Sequence, residues 1–304
     1  MIKVFGHTSP DTDSAASAIV WAWYLTEMRN RPAKPFLLGR PNTEAAFVLQ
    51  HWDVPMPELL DLAAGDDVVI VDTNNPAELP DNIADANLTA IIDHHLLVGG
   101  LKTKTPINIT IRPLACTATV MYDLMGSAVE KAPRHIKGLM LSCILSDTLE
   151  FRSPTTTPHD RAVAEELARD LRVNIGEFAA EMFAAKSDVS AFSEAELLTM
   201  DSKEYSVGDK ELRVSVLETT SPGQILSRKD ALMAAMPEVA AKDGADQVLL
   251  FVVDILNEEA TLLIPNDLVK TIAEKSFGVS VSGDTVVLPG VMSRKKQIIP
   301  VLSL

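Results

Sequence analysis

Short unbroken apolar runs alternate with helical periodicity along about the first 185 residues, and this alternation most constrains the fold. "IKVF" (2–5) precedes "SAASAIVWAWYLTEM" (14–28), where Ala15, Ala18, Ile19, Ala22 and Trp23 recur at helical spacing. "FLL" (36–38) leads into a predicted helix over Thr43–Trp52. "VVIV" (68–71) and "AII" (90–92) read as strands covered on both faces, because they show no polar alternation. Further helices are predicted over Cys116–Met125, Arg134–Leu145, His159–Leu171 and Ile175–Ala184. Strands separated by helices in this way imply an α/β fold, with a mostly parallel sheet flanked by helices.

The pattern changes at "AAKSDVSAFSEAE" (184–196), a small and polar stretch. The expected division is therefore residues 1–186, a linker over 187–193, and a smaller α/β domain over 194–304. In that second part "ELRVSVLE", "QVLLFVVDIL", "ATLLIP" and "GDTVVLPG" read as strands of a mixed or antiparallel sheet. Helices are predicted there over Ser227–Lys242 and Asn266–Phe277.

Charge excludes one class of function. Asp and Glu number 42 against 27 Lys and Arg, a net charge of −15, so the chain lacks the excess of cations that nucleic-acid binding draws on. The first residues carry no basic n-region of a secretory signal. The apolar "SAASAIVWAWYL" is too short to span a bilayer. Cys116 and Cys143 sit within apolar segments and read as buried free thiols. A soluble cytoplasmic protein without nucleic-acid or membrane partners is the expectation.

The acids and histidines gather where the apolar runs stop. "IKVF" ends in Gly6-His7, "VVIV" in Asp72, and "AII" in Asp93-His94-His95. Ligands of open parallel sheets bind beyond the carboxyl ends of the strands, so these three ends can converge. "GHTSPDTDS" (6–14) adds Asp11 and Asp13, and "SDT" adds Asp147. Taken singly, each stretch also fits a structural role: Asp13 or Ser14 as a helix cap, Asp72 and Asp147 as turn caps, "DHH" as a solvated loop. Together His7, Asp11, Asp13, Asp72, His94 and Asp147 supply two imidazoles, four carboxylates and no thiolate. Such donors suit Mn²⁺, Fe²⁺ or Co²⁺ better than structural zinc. Six residues exceed the needs of one ion and suit a pair about 3.5–4 Å apart that shares a carboxylate, an arrangement that serves phosphoryl transfer.

In this order, "GHTSPDTDS", "VDTNN", "IIDHH", "CTAT", "LMLSCILSDT", "SPTTT" and "GVMSRKKQIIPVL" resemble the family II inorganic pyrophosphatases over essentially the whole chain. These are the manganese-dependent members of the DHH phosphoesterase superfamily. The resemblance implies a DHH domain followed by a DHHA2 domain, with the active site in the cleft between them and a homodimer formed through the N-terminal domain. It implies that His7, Asp11, Asp13, Asp72, His94 and Asp147 hold two Mn²⁺ per chain, with Co²⁺ as a substitute. By the same analogy Asp72 bridges the metals, His7 and Asp11 serve one, Asp13 and His94 the other, and Asp147 is unassigned. His95, Lys203, Arg294 and Lys295 map onto the residues that bind pyrophosphate, with Mg²⁺ accompanying the substrate, and Asp93 orients a neighbouring ligand. The implied reaction is attack of a metal-bridging water or hydroxide on one phosphorus, giving two phosphates.

One departure stands out: "DTNN" replaces the more usual "DHNE", so Thr73 stands where many members have a histidine. On residues alone, "SRKKQ" also fits a solvated basic turn. A related exopolyphosphatase and a catalytically silent metal binder are the competing expectations. The glycine-rich "GGGH" of the nuclease branch is absent, and inserted CBS domains are not expected.

Overall fold

The structure is a computed structural model describing residues 1–304 apart from the side chains of Asp243 and Lys295. The chain divides into two compact units, Met1–Lys186 and Ser187–Leu304.

The first unit runs β1 (Ile2–Phe5), α1 (Thr12–Trp23), β2 (Ala33–Leu37), α2 (Thr43–His51), β3 (Glu58–Leu59), β4 (Asp67–Val71), β5 (Asn87–Asp93), β6 (Asn108–Ile111), α3 (Thr117–Met125), α4 (Arg134–Asp147), α5 (Pro158–Leu171) and α6 (Ile175–Lys186). Its six strands lie in the order β3-β2-β1-β4-β5-β6, every pair parallel. Strand order therefore reverses between β1 and β4, and the carboxyl ends of these neighbours open a crevice at the reversal. The apolar runs are buried as their lack of alternation requires: Val68, Ile70 and Val71 of β4 are inaccessible, and Val69 nearly so.

Four details depart from the sequence expectation. Helix α1 starts at Thr12, two residues before Ser14, because Asp11 is its cap and accepts from the Ser14 amide at 3.0 Å. The helical pattern read as continuous to residue 28 instead passes at Tyr24 into one π-helical turn, Tyr24–Met28. Strands β3 and β6 escaped notice because they are short and largely exposed at the two sheet edges. Helix α4 continues past Leu145, so Asp147 is its last residue and Thr148 its C-cap.

Helix α4 packs on α1 and approaches the end of α2 very closely. A Cβ at Gly138 would lie 2.2–2.5 Å from three indole atoms of Trp52. That buried ring donates from Nε1 to Ser142 Oγ at 3.0 Å. Gly138→Ala should therefore overpack this contact and lower the unfolding free energy by about 1–3 kcal/mol. A urea melt unchanged from the wild type would show that Trp52 can retreat without cost.

The second unit runs α7 (Glu194–Met200), β7 (Ser202–Val207), β8 (Lys210–Thr219), α8 (Pro222–Leu226), α9 (Lys229–Asp243), β9 (Gln247–Asp254), β10 (Glu259–Leu263), α10 (Asp267–Phe277) and β11 (Thr285–Pro289). Its sheet has the order β11-β10-β9-β8-β7, with β8 and β9 parallel and the other pairs antiparallel. Strand β9 is buried throughout and feeds two cores by alternation. Leu249, Phe251 and Val253 join one cluster, while Val248, Leu250 and Val252 join the other. Burying each such side chain is worth roughly 1.5–3 kcal/mol.

No helix among the described residues is long and apolar enough to cross a membrane. Cys116 and Cys143 are buried and free.

Candidate metal centre

The first unit gathers His7, Asp11, Asp13, Asp72, His94 and Asp147 at the carboxyl ends of β1, β4 and β5. Gly6 ends β1 against the first turn of α1, where a Cβ would lie 1.9 Å from Ser14 Oγ. That close approach lets the His7 amide donate to Ser14 Oγ at 3.0 Å and directs the imidazole towards the crevice. His7 Nε2 then lies 3.7 Å from Asp11 Oδ1 and 3.5 Å from Asp72 Oδ2.

Asp72 follows β4 with a left-handed backbone, φ 59°, and is 2% exposed. Its amide donates to Ile92 O at 2.9 Å, and its Oδ1 accepts from Thr117 Oγ1 at 3.1 Å. The two Asp72 oxygens face opposite imidazoles, since Oδ1 lies 3.4 Å from His94 Nε2. His94 Nδ1 lies 3.2 Å from Leu114 O. A proton on Nδ1 satisfies that carbonyl and leaves Nε2 as the donor atom turned to the acids.

Asp13 is buried in the first turn of α1, accepting from Ser17 Oγ and the Thr117 amide, each at 2.7 Å. Its Oδ2 lies 4.0 Å from His94 Nε2, and Asp147 Oδ2 lies 3.9 Å from the same nitrogen. Asp147 Oδ2 is buried without a hydrogen-bond partner among the described residues.

These donors fall into groups whose ligand atoms lie within 4.8 Å of one another: His7, Asp11 and Asp72; Asp13, His94 and Asp147; Asp72, His94 and His95. Donors each about 2.1 Å from a shared ion stand roughly 3–4 Å apart, which is the spacing found here. The orphaned Asp147 oxygen is explained in the same way, since a cation would complete it. The donor set therefore fits hard divalent metal.

Electrostatics point the same way. Burial would depress the His7 imidazole, but the Asp11 and Asp72 carboxylates outweigh it and lift its pKa to about 10. Burial likewise opposes charge on His94, yet Asp72 and Asp13 raise it to about 9. Burial would raise Asp72, but the two histidines hold it at about 2. Asp13 is pushed up to about 6 by burial and then by the Asp72 charge. Asp147 is driven well above the carboxylate range by burial, with Asp13 and Asp72 adding to it. Acids crowded in this way draw positive charge, here as protons on the two imidazoles and on the raised carboxyls, and a divalent ion can take the place of those protons.

His95 is turned differently. Its side chain is 54% exposed, and its Nδ1 lies 2.9 Å from Asp93 Oδ1. Asp93 also accepts from the His94 and His95 amides and from Asn74 Nδ2, at 2.7, 3.0 and 2.6 Å. Next to the acids a cleft of about 450 Å³ is lined by His7, Ser9, Thr73, Glu78 and His95, among others. Thr73 is buried there, donating to Glu78 Oε2 at 2.6 Å and accepting from the Asn75 amide at 3.1 Å.

The remaining candidates belong to the second unit. Lys203 is exposed on β7. Arg294 opens a single π-helical turn, Arg294–Ile298, and its guanidinium contacts Asp201 O and Asp201 Oδ1, both at 2.8 Å. The Lys295 side chain lies outside the described residues. Sequence reading missed two supports, Thr117 and Asn74. Their signals are visible in "CTAT" and "VDTNN", but neither stretch reveals which acid each residue holds.

Comparison with known proteins agrees with this geometry. Residues 1–146 match the DHH family N-terminal domain, and residues 180–304 match the DHHA2 domain. A "probable manganese-dependent inorganic pyrophosphatase" of Deinococcus radiodurans is 40% identical over 99% of this chain and 98% of its own length. A manganese-dependent inorganic pyrophosphatase of Methanocaldococcus jannaschii is 37% identical over 99% of this chain and 98% of its own. The crystal structure of a "putative family II inorganic pyrophosphatase" from Methanococcus jannaschii superposes with a TM-score of 0.63 at 36% identity, covering 99% of this chain and 97% of that one. An exopolyphosphatase-related protein of Bacteroides fragilis shares the fold, with a TM-score of 0.51 at 13% identity over 98% of this chain and 89% of its own. With full-length identity at this level and both domain models matched in order, the chain belongs to the manganese-dependent, family II inorganic pyrophosphatases, and is a hydrolase of the DHH–DHHA2 type.

Proposed function

We propose that the chain hydrolyses pyrophosphate to two phosphates with two Mn²⁺ held by His7, Asp11, Asp13, Asp72, His94 and Asp147. The observation that carries this reading is the placement of Asp72, whose two oxygens face His7 on one side and His94 on the other. His7 and Asp11 serve one metal, Asp13, His94 and Asp147 the other, and Asp72 both. When bound, the metals supply a water acidified towards neutral pH as nucleophile and neutralise phosphoryl charge.

The chain's own residues bind and orient the substrate. The Asp93 carboxylate favours the charged form of His95 and turns its Nε2 outward as a donor to a phosphoryl oxygen. Arg294 offers a fork of donors, and Lys203 and Lys295 offer point charges that offset charge on the leaving phosphate. In this reading the two units close over the substrate, which arrives with Mg²⁺, and water is excluded from the cleft between them. Co²⁺ can take the place of Mn²⁺.

The protein acts as a homodimer in the cytoplasm in this reading. Strand β6 supports the first part: it ends its sheet, its outer edge is available for pairing, and its Ile109 is 55% exposed. The buried free thiols support a reducing compartment.

Phosphate release from pyrophosphate, tripolyphosphate and a dinucleotide, each with Mn²⁺ and with chelator, tests the reading. Pyrophosphate should be turned over fastest, and chelator should stop it. Preference for tripolyphosphate or the dinucleotide, or turnover that survives chelation, would overturn the assignment.

A further inference from the structure

We propose that Thr155 is a substrate-binding residue whose hydroxyl donates to a phosphoryl oxygen of pyrophosphate, an inference that rests on the pyrophosphatase reading above. Thr155 lines the same cavity of about 170 Å³ as Asp11, Asp72, His94, His95 and Asp147. It comes from the loop after α4 and shares no element with those residues except by following Asp147.

The route of that loop is unusual. Leu149, Glu150 and Phe151 have φ of 47°, 53° and 70°, three consecutive non-glycine residues in the left-handed region. Side chains there are disfavoured, and β-carbon-bearing residues visit it singly rather than in runs. The surroundings hold the turn in place. The Phe151 amide donates to Thr148 Oγ1 at 3.2 Å, and the Ser153 amide donates to Thr148 O at 2.8 Å. The Arg161 guanidinium covers the Phe151 ring at 4.2 Å from its centroid. The result is an abrupt reversal directly after Asp147, which returns Thr155 to the acids eight residues later. Strain fastened this firmly beside a site accords with a positioning demand.

The hydroxyl itself can give its proton to an acceptor outside the loop. Ser153 Oγ accepts from the Thr155 amide at 3.3 Å and lies 2.7 Å from Thr155 Oγ1. Either hydroxyl can donate in this pair, because Ser153 Oγ keeps a second lone pair beside the one that the amide uses, and the pair is satisfied with Ser153 as donor. The Thr155 proton is then free for an outside acceptor. Among the described residues Ser153 is the only hydrogen-bond partner of that hydroxyl, and Thr155 is exposed, so it holds no packed element together. Pyrophosphate presents many acceptor oxygens, and a neutral donor can meet one without adding charge beside metal-binding acids.

The test is Thr155→Val in the full chain with Mn²⁺, which removes the hydroxyl and keeps the shape, alongside Thr155→Ser, which keeps the hydroxyl. The Val variant should lose about tenfold in kcat/KM for pyrophosphate, as for one hydrogen bond to a charged group, and Ser should recover most of that loss. Mn²⁺ titration of the metal-free chains should give the same affinity for all three proteins. Thr155→Ala repeats the test with a smaller side chain if Val perturbs folding. Equal kcat/KM in wild type and Val overturns the proposal. So does a weakened Mn²⁺ affinity in Val, which would place Thr155 on the metal side, or a Ser variant as impaired as Val. Failure of the pyrophosphatase reading appears elsewhere, as absent phosphate release by the wild type.

Discussion

Asp72→Asn should bring pyrophosphate hydrolysis down by at least about 100-fold and lower the Mn²⁺ content of the chain. Losing even one supporting partner of a metal ligand typically costs about 10–100-fold, and Asp72 faces both imidazoles at once. The variant is clean in its backbone. Asn tolerates the left-handed conformation that Asp72 adopts at φ 59°, so the loss reports on the carboxylate and not on a displaced strand end. The Thr117 hydroxyl can still donate to the Asn oxygen, which keeps α3 in place. Metal analysis of the desalted protein and a phosphate-release assay check the two halves. Two tightly bound Mn²⁺ per chain together with normal turnover would refute the bridging role.

His94→Gln and His95→Gln should fail in different ways despite being neighbours. His94 Nε2 lies among Asp13, Asp72 and Asp147, so its loss should weaken Mn²⁺ binding by about 10–100-fold. His95 is half exposed and tied through Nδ1 to Asp93, and in the proposed reading its other nitrogen meets the substrate. Removing that one charge-assisted contact, typically ~1.5–3 kcal/mol, should slow kcat/KM about tenfold to a hundredfold. Mn²⁺ affinity should stay at the wild-type level in this second variant. Equal loss of metal in both proteins would show that the two residues share one role.

The sheet and the acids were legible in the sequence for the same reason. Unbroken apolar runs mark buried parallel strands, and polar residues at their ends mark the edge where such sheets bind ligands. Strands β3 and β6 were not legible, since two to four residues that are exposed or only half-buried at an edge carry no such signature. Asp11 was read as a possible ligand but not as a cap, although it occupies the cap position of α1. One carboxylate can do both, because its Oδ1 meets the helix amide and also faces His7. The left-handed turn at Leu149–Phe151 could not be read at all, since it contains no glycine, asparagine or aspartate. Nor could the reach of Thr117 to Asp13 and Asp72, which spans 104 and 45 residues of chain and exists only once α3 is packed.

The supports of the acids carry a consequence for how the protein is assembled. Asp13 and Asp147 sit on α1 and α4, two helices packed on each other, with Ala18, Leu139 and Leu145 fully inaccessible. His7, Asp72 and His94 leave strands that are joined into one sheet. The ordering of these segments is thus driven by apolar burial, and metals bound as proposed would meet donors that the folded chain already holds together. Small zinc modules behave in the opposite way, because their metal affinity is the free energy of folding. In the proposed reading loading is then a step separate from folding, open to whichever hard divalent ion the surroundings supply, and stripping the ions should silence the enzyme without unravelling it.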